Sequence, residues 1–213
     1  EDARQAAEDL NELLIPITKA WCTDMGVEVT SLAIQVYGGM GFVEETGVSQ
    51  FFRDARIAPI YEGTNGIQAM DLVGRKLPMR SGGVVTDTIA DIRATAAALS
   101  ADDELAGIGA RLAEATDALD EATQWIFGHA GEIRDVLAGA TPYLRMWGLV
   151  VGGWVLGKSA LAAAEWAADD GPADFCAEKV RTARWFADQH LSTVVGLTAR
   201  ATSGASLMDE ASL

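Results

Sequence analysis

Apolar residues recur at helical spacing along almost the whole chain, and that periodicity most constrains the fold. Leu10, Leu13, Leu14, Ile17 and Trp21 fall at i, i+3, i+4, i+7 and i+11, which draws one stripe on a helix. Val85, Ile89, Ile92, Ala96 and Leu99 draw a second. Leu105, Ile108, Leu112, Ala115, Leu119, Ala122 and Ile126 draw a third. A β domain would need alternating segments separated by turns at regular intervals, and nothing here reads that way. The expected fold is all-α.

Breaker residues divide this pattern. Pro16 removes a donor to the carbonyl of Glu12 and is expected to bend the first helix, with Thr23 or Asp24 capping a second that runs to about Tyr37. A short helix near Val48–Ile57 and another from about Thr64 to Lys76 complete a first block over residues 1–78. Leu77-Pro78 and Ser81-Gly82-Gly83 mark a boundary. Beyond it, residues 82–205 read as an antiparallel bundle of long helices with short connections. Asp102 or Asp103 starts one helix, and Thr141-Pro142 reads as N-cap and first residue of the next. Gly171-Pro172 separates that helix from a last one reaching about Ala201, and Met208–Leu213 reads as a frayed tail. Trp125, Trp147, Trp154, Trp166 and Trp185 read as packing material rather than an aromatic ligand box.

Composition excludes several functions. The net charge is −15, and both parts are acidic: 6 basic against 12 acidic residues in 1–77, and 10 against 19 in 78–213. Neither nucleic acid nor an anionic lipid surface is an expected partner. Cys22 and Cys176 have no disulfide or metal spacing, and His129 and His190 stand alone, so no metal site is expected. The apolar run Met146–Ala164 contains Lys158 and four glycines, and reads as a buried helix rather than a transmembrane span. Gly148 and Gly152, then Gly153 and Gly157, would let another helix approach closely. No basic-plus-apolar leader is visible, and the expected location is cytoplasmic.

The stretch Tyr61-Glu62-Gly63-Thr64-Asn65-Gly66-Ile67-Gln68 sets a carboxylate beside a glycine-flanked turn where a helix begins. An apolar approach through Ile57, Pro59, Ile60 and Tyr61 could desolvate that carboxylate and raise its pKa toward working pH. Gly63 and Gly66 allow close backbone approach, Thr64 can cap the helix, and a helix start offers N–H groups to a phosphate. The alternative is an ordinary helix junction with a surface Glu. Upstream, Gln35-Val36-Tyr37-Gly38-Gly39-Met40-Gly41-Phe42 ends a helix with three glycines in four positions, more than a helix stop requires.

Residues 24–77 resemble the C-terminal helical domain of the acyl-CoA dehydrogenases. The matching pieces are Gln35-x-x-Gly38-Gly39-x-Gly41-Phe42, Arg53-Asp54-Ala55, and Ile60-Tyr61-Glu62-Gly63-Thr64-Asn65-Gly66-Ile67-Gln68, in that order. The resemblance implies a flavoenzyme that forms a double bond beside an acyl-CoA thioester. In that case Glu62 is the general base, with its backbone N–H holding the thioester carbonyl, and Gly63 touches substrate. Thr64, Asn65 and Gly66 contact FAD, and Gln35, Val36, Tyr37, Gly38 and Gly39 reach the FAD bound mainly by a partner subunit. Arg53 and Asp54 are expected to form a structural ion pair. Asn65-Gly66 stands where many relatives carry bulkier polar residues, which leaves the contact at Asn65 open.

The family's complete chain has an N-terminal helical domain and a middle β domain, so this chain is expected to be the C-terminal part of a longer enzyme. Residues 82–205 are similar to the extra helical domain of an extended bacterial branch that includes 3-methylthiopropanoyl-CoA dehydrogenases. The implied partners are an acyl-CoA substrate, electron-transferring flavoprotein as electron acceptor, and further copies of the chain in a homodimer or homotetramer. An oxidase returning electrons to oxygen would share the same half-reaction. A non-catalytic helical assembly module is the alternative from another class.

Overall fold

The computed structural model describes residues 2–206 and 208, and among these all regular structure is helical. The main helices are α1 (Asp2–Val36), α2 (Gly39–Phe42), α3 (Val48–Ala55), α4 (Asn65–Asp71), α5 (Gly83–Ser100), α6 (Ala106–Gly128), α7 (Ile133–Ala168), α8 (Ala173–Gln189) and α9 (Thr198–Thr202). Helix α4 widens into a π turn over Leu72–Lys76, closed by Leu77 N–H to Leu72 O at 2.9 Å. Apart from Met208, the tail expected to fray lies outside the described residues.

Two helices run through prolines that were expected to interrupt them. Helix α1 is continuous across Pro16, and α7 begins at Ile133 and passes through Pro142 rather than starting there. A proline in a helix interior costs about 3 kcal/mol. Burial on either side outweighs it. Leu13, Pro16, Ile17 and Ala20 of α1 are buried, as are Gly139, Ala140, Tyr143 and Leu144 of α7. Thr23 therefore caps nothing; its hydroxyl donates back to Lys19 O at 2.7 Å inside α1. The last helix also differs from expectation, since α8 ends at Gln189 and two 3₁₀ turns precede α9.

The three apolar stripes meet in one buried cluster that includes Leu13 and Ile17 of α1, Leu72 of the π turn, Ile92 and Leu99 of α5, Leu112 and Leu119 of α6, and Trp147 of α7. Leu13, Ile17, Leu72 and Leu77 thus belong to the same core as the bundle. The glycines of α7 are where neighbours come close, as their spacing implied. A Cβ on Gly148 would stand 2.7 Å from the Trp21 ring, one on Gly152 2.9 Å from Phe186, one on Gly153 2.7 Å from Leu191, and one on Gly157 2.9 Å from Leu99. Helix α7 is long and apolar enough to cross a membrane, yet these contacts seat it against α1, α5, α6 and α8.

The tryptophans divide. Trp147 and Trp154 are core residues, and Trp154 Nε1 donates to Thr95 Oγ1 at 2.9 Å. Trp125 stacks on His129 at 4.0 Å between ring centres. Trp166 and Trp185 are 51% and 60% exposed and pack edge-on against Phe175 and His190. Helical period alone cannot separate a core tryptophan from one at the rim of a stripe.

Candidate functional site

After α3 the chain descends through buried Pro59 to a turn at Glu62 and Gly63, whose φ values are +53° and +82°. Two successive residues in the left-handed region reverse the chain sharply. For a residue with a side chain, such as Glu62, that conformation costs about 1–2 kcal/mol and persists only where neighbours fix it. Asn65 N–H donates to Pro59 O at 3.1 Å, closing the turn. Thr64 Oγ1 accepts from Ile67 N–H at 3.3 Å, so Thr64 caps α4 as its position implied. Those two bonds occupy first-turn donors that the sequence suggested for a phosphate. A helix start that caps itself has less to offer an anion.

The side chain of Asn65 joins this turn to the middle of α1. Its Nδ2 donates to Ala20 O at 3.1 Å, Thr23 Oγ1 at 3.0 Å and Asp24 Oδ1 at 2.7 Å, and its Oδ1 accepts from Lys19 Nζ at 2.8 Å. The same Lys19 ammonium donates to Gly63 O at 2.8 Å. The Asn65 amide, at the position the family resemblance sets beside the cofactor, is engaged within the chain. No motif of the sequence points to Lys19; its one local signal is that Lys19, Thr23 and Asp24 put polar side chains on a helix otherwise anchored by Leu13, Ile17 and Ala20.

Glu62 itself is exposed in this chain, as are Ile57, Ile60 and Tyr61. The desolvation expected from the apolar approach is therefore not supplied locally. Three of the four approach residues lie at the surface, where they cannot screen a carboxylate from water.

Gln35, Val36, Tyr37, Gly38 and Gly39 form a second exposed group at the end of α1. Gly38 has φ +60° with ψ −145°, a combination essentially confined to glycine, and nothing lies within 4 Å of where a Cβ on Gly38 or Gly39 would stand. Gly41 is different: a Cβ there would sit 2.3 Å from Ile34 O, so α2 packs its backbone onto α1. Arg53 pairs with Glu44 at 3.3 Å and donates to Ser49 at 3.2 Å; the expected partner, Asp54, is not the one it takes. Lys19 and Gln35 are sixteen residues apart on one continuous helix, or about 24 Å at 1.5 Å per residue. The chain thus brings Glu62, Gly63, Thr64 and Asn65 together and holds Gln35–Gly39 well away from them.

Fold and site define a class: a helical scaffold that presents, rather than encloses, a carboxylate on a fixed left-handed turn. Residues 2–77 match the family model described as acyl-CoA dehydrogenase, C-terminal domain, and residues 88–211 match acetyl-CoA dehydrogenase C-terminal like. The 3-methylmercaptopropionyl-CoA dehydrogenase of Ruegeria pomeroyi is 47% identical over 194 residues, which cover 90% of this chain and 33% of that protein. A butyryl-CoA dehydrogenase of Syntrophomonas wolfei is 32% identical over 190 residues, covering 86% and 31%. The broad-specificity linear acyl-CoA dehydrogenase FadE5 of Mycobacterium tuberculosis is 26% identical over 200 residues, covering 89% and 33%. The chain belongs to the acyl-CoA dehydrogenase family and spans about a third of the length of these relatives.

Proposed function

We propose that this chain is the C-terminal helical segment of an FAD-dependent acyl-CoA dehydrogenase, with Glu62 as the general base that takes the α-proton of an acyl-CoA thioester. FAD, when bound, supplies the acceptor for the β-hydride. The observation that carries the reading is the Glu62–Gly63 turn, left-handed at both residues and fastened to α1 through Lys19 and Asn65. A carboxylate on so constrained a backbone is held for a task that free rotation would spoil. The Glu62 N–H then hydrogen-bonds the thioester oxygen, where charge develops as the α-carbon loses its proton. Gly63 is the position proposed to touch the substrate. Thr64 and Gly66 would contact the flavin when it is bound, with Asn65 bracing the turn between them.

The residues present fit a flavin as one wall of a shared site. The bare backbone at Gly38 and Gly39, with open space where side chains would be, supports a contact from Gln35–Gly39 to a flavin held mainly by a second subunit. At about 24 Å from the Lys19 anchor, that segment serves a different flavin from the one beside Glu62. The proposed partners are further copies of the chain, in a homodimer or homotetramer, and electron-transferring flavoprotein as the electron acceptor. Oxygen consumption in its place would mark an oxidase.

The isolated chain also supports a second reading, as a helical assembly module without a complete site. Val36 and Phe42 are 85% and 81% exposed, in a group with Val29, Leu32, Tyr37 and Met40. Apolar surface of that extent marks a contact with other protein.

Both readings meet in one experiment. In the full-length flavin-loaded protein, Glu62→Gln keeps flavin and acyl-CoA binding, and slows flavin bleaching by substrate about 10²- to 10⁴-fold. Unchanged bleaching moves the base elsewhere. Purified residues 1–213 alone hold no stoichiometric flavin, and a visible flavin band in that preparation contradicts the one-wall arrangement.

A further inference from the structure

We propose that Lys19 is a positioning residue for the Glu62 turn, acting on α-proton removal without touching the reacting atoms; the inference rests on Glu62 being the base. The ammonium bridges two oxygens on either side of Thr64, Gly63 O and Asn65 Oδ1, each at 2.8 Å. Both acceptors are neutral, so the cation serves to hold backbone and amide rather than to form a salt bridge with them. Hydrogen bonds from a charged donor are about twice as strong as neutral ones. The other side chain on these carbonyls, Gln68, reaches Glu62 O and Gly63 O only at 3.4 and 3.5 Å, the weak end of the range. Lys19 is therefore the main side-chain tie on the carbonyl that follows Glu62 directly.

The conformation held there is unfavourable by itself. Glu62 at φ +53° relaxes toward the right-handed or extended regions once its neighbours release it. The anchor is also remote in sequence, 44 residues before Gly63, on a helix buried at Ile17 and Ala20 to either side. A rigid helix thus sets the coordinates of the turn. Displacing a reacting group by 1 Å costs about 10²-fold in rate, and loss of the Lys19 tie permits a displacement of that order.

The test uses the full-length flavin-loaded protein, with Lys19→Met, Lys19→Gln and Lys19→Arg beside Glu62→Gln. Flavin content, acyl-CoA affinity from the flavin spectrum, and bleaching rate with α-deuterated and unlabelled substrate are measured for each. Lys19→Met is expected to retain flavin, bind acyl-CoA within about 3-fold, and bleach about 10- to 100-fold more slowly. Its deuterium isotope effect rises, because proton removal becomes more fully rate-limiting. Lys19→Gln falls between, and Lys19→Arg recovers most of the rate. A merely structural role lowers the flavin-loaded fraction and leaves the rate and isotope effect per flavin unchanged. Normal bleaching in Lys19→Met with a dead Glu62→Gln overturns this inference alone, while normal bleaching in both overturns the assignment of the base. Failure of both Met and Gln variants to give soluble flavoprotein assigns Lys19 to folding and also overturns it.

Discussion

One substitution type at two glycines should have opposite effects. Gly139 lies in α7 where α9 crosses it, and a Cβ there would stand 1.9 Å from Ala201 O and 2.7 Å from Ala201 C. Carbon contacts settle near 3.5–4.0 Å, so α9 must retreat by roughly 1.5 Å or more. The obstacle is backbone, which cannot rotate aside. Overpacking of this kind costs about 1–3 kcal/mol, and here its upper end applies. The gain from replacing glycine by alanine in a helix returns about 1 kcal/mol. Gly139→Ala is thus net destabilising by about 2 kcal/mol, which lowers Tm by about 4–8 °C in a domain of this size. Gly26 is also mid-helix, but nothing lies within 4 Å of its added Cβ. Gly26→Ala receives only the helical gain of about 0.5–1 kcal/mol, and Tm rises by about 1–4 °C. Thermal unfolding of the 213-residue chain and both variants by circular dichroism reads the difference. A Gly139→Ala protein that melts with the parent refutes the seating of α9 on α7. A Gly26→Ala protein that melts earlier refutes the continuity of α1 beyond Pro16.

Two further outcomes follow from buried and paired groups. The Lys76 ammonium, itself buried, is bonded to Glu12 and holds that carboxyl below its ordinary value. A depressed carboxyl stabilises the fold above its unfolded pKa and loses that contribution as pH falls through its folded pKa. Glu12→Gln should therefore lower Tm near neutrality and converge with the parent in acid, and parallel Tm–pH curves would contradict this. Burial pushes the Tyr143 phenol up, far beyond the usual range for tyrosine, although its bond to Thr123 Oγ1 at 2.7 Å opposes the shift. Its ultraviolet phenolate signal should emerge only with alkaline unfolding, and Tyr143→Phe should cost about 1–2 kcal/mol in denaturant melts. An early phenolate from Tyr143, resolved by difference from Tyr143→Phe, would show that water reaches it.

What could be read in the sequence was whatever is periodic or local. Leu105, Ile108, Leu112 and Leu119 are core residues because helical spacing puts them on one face, and spacing survives without coordinates. Thr64 caps α4 through a bond three residues away, and Gly148 and Gly152 admit neighbours because small residues leave room. The errors came where a long-range gain overrode a local cost. Pro16 and Pro142 weaken their helices by one bond each, and the burial that outweighs them comes from distant elements. Lys19 bonds residues 44 and 46 positions later, a separation that no period or motif encodes. Glu62 is exposed in this chain although its neighbours are apolar, because Ile57, Ile60 and Tyr61 themselves lie at the surface.

Helix α1 connects these observations. It carries Lys19, Ala20, Thr23 and Asp24, which hold the carboxylate turn, and it ends in the exposed Gln35–Gly39 segment. It is seated on the rest of the fold by Leu13, Ile17 and Ala20, and by the Trp21 ring lying on Gly148 of α7. Trp21 and Lys19 are two residues apart, so the contact that docks α1 on the bundle and the ammonium that ties down Gly63 share one helical turn. Among the described residues the hydrogen bonds of the clasp around Asn65 come from α1 and the turn itself, while α5 and α7 seat the helix that holds them.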